Sequence, residues 1–227
     1  MKGVPMRAKF CARDCPGKIR DSRGFTIIEL LIVMFISVVA AAVAIPSYTT
    51  MTRYLRIAGD ARDLNSTIAQ AKMRAAQDFT HARVHANLTA NTFQLEVWDK
   101  IAGCWKTDGD GVNRCTATDT PVQRLSQGVS FGFGSAGAGN PNPQTTIAQA
   151  PGCSTGVAGG ATGSIIVSTA CIEFNSRGIP VASTNSPTAN DALYVTDAQV
   201  VYGITVIQTG LIQSWSTGAS STAWQPR

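Results

Sequence analysis

One stretch limits what this chain can fold into more than any other. From Phe25 to Ile45 run 21 residues whose only charged member is Glu29. As an α-helix rising 1.5 Å per residue the run is about 30 Å long, the thickness of a bilayer's hydrocarbon core. It is apolar on every face, so it must end in lipid or among other apolar helices. An ionisable group inside such a span is costly and asks for a partner, which makes Glu29 the first candidate site. A secretory signal is laid out differently, with an apolar core of about 7–15 residues followed by a small-residue cleavage site. Here the run is longer, and the unusual residues Gly24 and Glu29 stand before it or at its start. The competing reading is an ordinary signal anchor with an incidental glutamate that snorkels to the membrane edge.

The charge divides at the same place. The 227 residues carry 19 Lys/Arg and 14 Asp/Glu, a net +5. Residues 1–24 hold seven of the cations (Lys2, Arg7, Lys9, Arg13, Lys18, Arg20, Arg23) and two of the acids (Asp14, Asp21), and so the whole excess. Residues 25–227 keep twelve of each sign. A basic flank before an apolar span is an orientation signal that holds the flank in the cytoplasm, not a nucleic-acid footprint. The far side of the span is then expected in the periplasm. With Pro5, Pro16 and Gly17 as breakers, the basic flank is expected to form no stable structure.

Six cysteines divide likewise. Cys11 and Cys15 lie in the basic flank; Cys104, Cys115, Cys153 and Cys171 lie beyond the span. An even number in an oxidising compartment reads as disulfides. Of the three pairings that four cysteines allow, Cys104–Cys115 and Cys153–Cys171 close the shortest loops and are preferred. Zinc is the competing reading, but no CxxC spacing exists and only His81 and His85 are at hand.

Residues 25–79 read as one long helix. Pro46 follows the apolar run and is expected to kink or locally melt it. Beyond it Tyr54, Ile57, Ala61, Leu64, Ile68, Ala71, Ala75 and Phe79 recur at three- and four-residue steps, the stripe of a 3.6-residue period. Residues 46–79 are thus the amphipathic half, expected to lie on a sheet. Arg53, Arg56, Asp60, Arg62, Asp63, Lys72 and Arg74 fill the other faces, with Arg56 and Asp60 spaced to pair. From about residue 80 the period becomes two: Val84-Ala86-Leu88, Phe93-Leu95-Val97, Val129-Phe131-Phe133, Ile172-Phe174 and Val200-Tyr202-Ile204-Val206, with Leu193-Tyr194-Val195 and Leu211-Ile212 as shorter runs. Strands parted by Gly, Asn and Pro without helical patterns between them argue for antiparallel sheet in a domain over residues 80–227. Gln208-Thr209-Gly210 reads as the last hairpin turn. Residues 134–164, rich in Gly, Ala, Asn, Pro and Ser, form a long loop of the kind that carries recognition or is mobile.

Enzyme chemistry finds no footing. His81 and His85 stand four apart where helix turns to strand, without a GxSxG, HExxH or phosphate-binding glycine loop, and no cofactor is implied. Asp108-Gly109-Asp110-Gly111-Val112-Asn113 offers oxygens to Ca²⁺ but lacks the distal glutamate of an EF-hand loop and reads as a turn. Trp98, Trp105, Trp215 and Trp224 read as core or edge residues, with stacking on bases as the alternative.

Gly24-Phe25-Thr26-Ile27-Ile28-Glu29 ahead of an uninterrupted apolar helix resembles the leader of type IV prepilins and type II secretion pseudopilins. The resemblance implies cleavage by prepilin peptidase between Gly24 and Phe25, N-methylation of Phe25, and a docking role for Glu29. It also implies a cleaved leader over residues 1–24, a fibre-core helix over 25–45, and a proline at position 46. Ile172-Glu173-Phe174-Asn175-Ser176-Arg177-Gly178-Ile179-Pro180 and Ile204-Thr205-Val206-Ile207-Gln208-Thr209-Gly210 resemble minor pilins of the FimT/FimU type and the pseudopilin GspH. The implied fold is α+β, a long N-terminal helix packed on an antiparallel, β-sandwich-like C-terminal domain. The implied partners are other pilin subunits, prepilin peptidase and the inner-membrane assembly platform, first in the inner membrane and then in a pilus or pseudopilus of a Gram-negative bacterium. The role read from this is a minor type IV pilin that helps initiate or cap assembly, with a type II secretion pseudopilin as the alternative and a DNA-binding pilin as the second. DNA-binding members of the FimT group carry Gly-Arg-x-Arg near the C-terminus. Here the stretch is Gly210-Leu211-Ile212-Gln213, so both arginines are lost and no nucleic acid is expected as partner.

Overall fold

The computed structural model describes residues 24–108, 115, 122–134, 139–141, 144–160, 163–189, 191–218, 221 and 223–227. The basic leader up to residue 23 and residues 109–114 of the acidic loop lie outside them. The chain divides into two compact units, Met1–Ser47 and Tyr48–Arg227. The architecture is α+β, one long apolar-headed helix and antiparallel sheets.

Helix α1 spans Ile27–Gln77 and runs through Pro46 as continuous helix. Pro46 has no N–H to give, so one rung of the ladder is missing by chemistry alone. In the first unit every residue from Phe25 onward is exposed, as the all-round apolar pattern requires. In the second unit the stripe sorts itself. Ile57, Ala61, Leu64, Ile68, Ala71 and Ala75 are buried. Its two ends are not: Tyr54 is 45% exposed and Phe79 is 75% exposed. Phe79 lies past the helix end with a φ of 50°, so helical spacing no longer sets where its side chain goes. Asp60 departs from the amphipathic reading in the other direction. It is buried, and its carboxylate accepts from the backbone N–H and the hydroxyl of Ser126, both at 2.9 Å. It is an inward anchor for an incoming loop, not the surface partner of Arg56.

The first sheet holds β1 (Ala82–Asn87), β2 (Thr92–Asp99), β3 (Cys104–Thr107), β4 (Gln123–Arg124) and β6 (Thr169–Phe174). Their order is β3-β2-β1-β6, with β4 also on β2. The second holds β5 (Ser130–Phe131), β7 (Asp191–Thr196), β8 (Val200–Val206), β9 (Ile212–Gly218) and β10 (Gln225–Pro226), ordered β10-β9-β8-β7-β5. Every pairing is antiparallel. The period-two runs place one face of each sheet in a common core with the helix stripe: Val84, Phe93, Ile172 and Phe174 from the first, Leu193, Val195, Ile204 and Val206 from the second. Ala192, Tyr194 and Val201 form a smaller cluster on the other face of the second sheet. Gly203 makes room there, since a Cβ at that position would sit 2.7 Å from the Tyr194 ring. The turn after β8 closes with Gly210 N–H donating to the Ile207 carbonyl at 2.7 Å, at a φ of +78° that favours glycine.

The structure pairs Cys104 with Cys115 and Cys153 with Cys171. The second bond holds the long Gly-rich segment to β6. The described residues 144–160 bury Ala150, Cys153 and Ala158; Gln149 and Ala150 bond to β7 of the second sheet, while Ser154, Gly156 and Ala158 lie against the outer face of the first, so this part is a packed strap.

Candidate assembly site

The N-terminal turn is built from its own sequence. Thr26 precedes the first helical residue, and its Oγ1 accepts from the N–H of Glu29 at 3.3 Å, while its carbonyl accepts from the N–H of Leu30 at 3.2 Å. Thr-x-x-Glu is the capping-box order: a threonine N-cap followed three residues on by a glutamate. Glu29 also stands in the first turn, where a carboxylate is favoured by the helix dipole. Thr26 therefore has a physical role that the apolar-run argument passed over, although the S/T-x-x-E spacing was there to be read. Gly24 has no such local reason. Among the described residues nothing lies within 4 Å of a Cβ built there, and its φ is not in the left-handed region. Phe25 is 82% exposed, and the apolar helix after it is the one helix among the described residues long and apolar enough to cross a membrane.

Residues 19–45 match the family model of the prokaryotic N-terminal methylation motif. This chain has a prepilin-type N-terminus. The match brackets Gly24, Phe25 and Glu29 together with the exposed helix that follows them. Among solved structures, the crystal structure of the minor pseudopilin EPSH from the type II secretion system of Vibrio cholerae aligns at 11% identity with a TM-score of 0.37, over 70% of this chain and 91% of that chain. At that score the likeness assigns no role to individual residues. No curated protein matches the chain.

The two stretches that resembled minor pilins meet in space. The Asn175–Gly178 turn is closed by Gly178 N–H donating to the Asn175 carbonyl at 2.8 Å, and the Asn175 side chain accepts from Arg177 N–H at 2.9 Å. The stem of Lys72, on the helix, passes close to both Gly178 and Gly210, and its Nζ donates to the Gly210 carbonyl at 2.9 Å. Leu211 and Gln213, which stand where arginines would, do not form a cationic pair; Leu211 is half exposed.

Sequence reasoning missed the polar core on the outer face of the first sheet. Arg83 and Glu96 are opposite one another across β1 and β2, and the Arg83 Nε donates to Glu96 Oε2 at 2.6 Å with both side chains almost fully buried. His85 Nδ1 lies 2.8 Å from Glu96 Oε1, and Gln94 donates to the same oxygen at 2.7 Å. The Arg83 guanidinium sits 4.0 Å from the centre of the Trp105 ring and donates to the Ser154 carbonyl of the strap. Trp105 Nε1 donates to the Gly156 carbonyl at 3.0 Å, and Trp98 stands edge-on to Trp105. Burial pushes the Glu96 carboxyl upward, but the hydrogen bond from His85, the Arg83 charge and the Gln94 amide together hold it down at about 2. Burial pulls the Arg83 guanidinium below its ordinary value against the opposing pull of Glu96. His81 Nδ1 lies 2.9 Å from Glu173 Oε1, which also accepts from the Ala158 N–H at 2.9 Å. The signal for all this was the charge at the polar positions of two neighbouring alternating runs. A short hairpin turn near residue 90 sets Arg83 opposite Glu96. No group of three or more metal-ligating side chains exists among the described residues, and Asp108 is engaged by a two-point pair with Arg74, at 2.9 and 2.8 Å.

Proposed function

We propose that this protein is a minor type IV pilin, a structural subunit that is trimmed after Gly24, methylated on Phe25, and built into a fibre through its exposed apolar helix, where it helps initiate or cap assembly. One observation carries the reading: the methylation-motif match falls on an N-terminus whose glycine serves nothing inside the described chain and whose 21-residue apolar run is wholly exposed. Exposed apolar surface on that scale must be covered, first by lipid and then by the helices of neighbouring subunits. The N-terminal basic flank points to a cytoplasmic leader and a periplasmic C-terminal unit. Glu29 then meets the N-terminal ammonium of a neighbour in a poorly hydrated fibre core, where pairing matters far more than on a surface. The proline at 46 is read as a place where the helix bends during assembly.

Intact-mass spectrometry of membrane-extracted protein tests the first step. The expected species is the 203-residue chain starting at methylated Phe25. A mature form that starts elsewhere overturns the reading. The motif also serves type II secretion pseudopilins, so deletion of the gene has two readouts. Loss of surface pili with secretion intact supports the pilin role, and the reverse supports the pseudopilin.

A further inference from the structure

A second feature of the C-terminal unit has no place in fibre docking. A cavity of about 550 Å³ opens between the strap and strands β6 and β7. Two carboxylates line it, Glu173 and Asp191. Asp191 is only 3% exposed, and its Oδ2 accepts no hydrogen bond. A buried polar atom without a partner costs roughly 1–3 kcal/mol, more when it carries charge. Glu173 is oriented by His81 and the Ala158 N–H, which engage its Oε1. Among the described residues no Lys or Arg lines the cavity, and while Glu173 has His81, the Ala158 N–H and the Arg83 charge across the sheet, nothing answers Asp191 Oδ2. The rest of the wall combines small and aliphatic residues, including Val157, Ile165 and Val181, with the hydroxyl residues Ser154, Ser183 and Thr188.

A cavity with an aliphatic part to its wall and two carboxylates, one of them with an unpartnered oxygen, complements a cation on an alkyl stem. A divalent metal fits less well. Ca²⁺ takes six to eight oxygens, and among the described residues no group of three metal-ligating side chains stands here. A guanidinium is planar, weakly hydrated and able to bond two carboxylate oxygens at once, so it tolerates burial beside acids better than an ammonium does. We propose that this cavity binds an alkylguanidinium group, held by Asp191 and Glu173 with its stem along the aliphatic wall. The group is either a free small molecule or an arginine side chain presented by another polypeptide. Asp191 ionises more readily once the cation is bound. Burial, and then the neighbouring Glu173, push its carboxyl up to about 7.

Isothermal titration of the detergent-solubilised full chain with n-butylguanidinium tests this against n-butylurea, its neutral counterpart of the same shape. The expected result is a Kd of about 1 mM or tighter at mildly alkaline pH, weakened at least about tenfold in the Asp191→Asn protein and for n-butylurea. Equal binding of the two ligands, no heat from either, or an unchanged affinity in Asp191→Asn overturns the proposal. If Asp191→Asn fails to fold, the charged and neutral ligands on the unaltered chain still decide it. Displacement of n-butylguanidinium by micromolar CaCl₂ also overturns it, in favour of a metal site. The capped tripeptide acetyl-Gly-Arg-Gly-amide separates the sources. Affinity equal to or above that of n-butylguanidinium assigns the site to a chain-borne arginine, and at least tenfold weaker binding assigns it to a free guanidine.

Discussion

At Glu29 two physical roles coincide, and chemistry can part them. The residue is the third helical position of a threonine-capped turn, and it is the only charge in an apolar run. The cap bond uses the backbone N–H of residue 29, so a glutamine and an alanine both keep it and both lose the charge. Glu29→Gln is expected to insert, to be cleaved and to enter fibres as poorly as Glu29→Ala, because the unpaired ammonium of a neighbour is what remains uncompensated. The readout is the share of tagged protein in sheared fibres against the membrane pool. Wild-type incorporation of Glu29→Gln would leave the Glu29 charge without a docking role. Asp191 makes a prediction in solution. Its folded carboxyl titrates near 7, against about 3.8 in a free chain. Between those values the folded state holds a proton that the unfolded state has lost. Stability therefore falls as pH rises from about 4 to 7 and is level above, by on the order of 4 kcal/mol at about 1.4 kcal/mol per unit. Glu96 runs the other way in a lower window. Its folded value of about 2 means that its contribution is present above about 4.5 and fades as pH falls below it. Denaturant melts across this range should show the decline toward neutral pH in the parent and not in Asp191→Asn. A parallel slope in both proteins would locate the effect elsewhere. Asp191 is also where sequence reading fails at this scale: an acid after Asn190 looks like a turn residue until the register of β7 puts it at the end of the buried face with Leu193 and Val195.

The elements were legible where period and burial agree. The helix stripe from Ile57 to Ala75 and the hairpin of β1 and β2 follow from spacing, because each has one face in a core of Ile, Val, Leu and Phe. β9 was seen only at its first residue, since Gln213, Ser214, Ser216 and Thr217 carry no apolar alternation. It is held by seven paired positions with β8 instead. β3 was hidden for a related reason: Cys104 and Trp105 stood in no alternating run, although Trp105 was read as a core or edge residue and is buried under the strap with its indole N–H on Gly156. The strap itself was illegible, because Gly, Ala and Ser give no period whether a segment is packed or loose. Its order depends on long-range partners, namely Arg83, Trp105, Glu173 and Cys171. From this follows the prediction for the element. The Cys153–Cys171 link joins residues 18 apart and by the chain-entropy model contributes about 3 kcal/mol. Cys153→Ala with Cys171→Ala is expected to lower stability by that order and to raise amide exchange in residues 150–158 ahead of the sheet strands. Uniform loosening of strap and strands alike would mean that the strap has no separate opening step.

For the whole molecule, charge and its partners decide what the exposed surface can attract. The fold class was accessible from the sequence because a leader, an apolar span and an alternating C-terminal region are compositionally distinct. The charge count alone left one uncertainty, the net +3 of residues 53–74 from Arg53, Arg56, Arg62, Lys72 and Arg74 against Asp60 and Asp63. The structure narrows it. Lys72 donates to the Gly210 carbonyl, Arg74 is paired with Asp108, and Arg53 reaches the Asp197 carbonyl at 3.2 Å. Asp60 is buried and turned inward, which leaves Arg56 and Arg62 as the freest cations of the stretch without making a continuous stripe of them. Residues 80–227 carry seven Lys/Arg against eight acids, and the positions that would complete Gly-Arg-x-Arg are Leu211 and Gln213. DNA affinity is set largely by how many phosphates are neutralised together, with a steep salt dependence as its mark. Two or three scattered arginines supply neither. The full chain in a non-ionic detergent is therefore expected to bind duplex DNA no more tightly than about 10⁻⁴ M at moderate salt, the weak end of non-specific binding. Fluorescence anisotropy with a labelled duplex at low and moderate salt measures this directly. Micromolar binding that collapses with salt would show that Arg56, Arg62 and Arg177 act as one surface, and triple replacement of those arginines by glutamine would then have to abolish it.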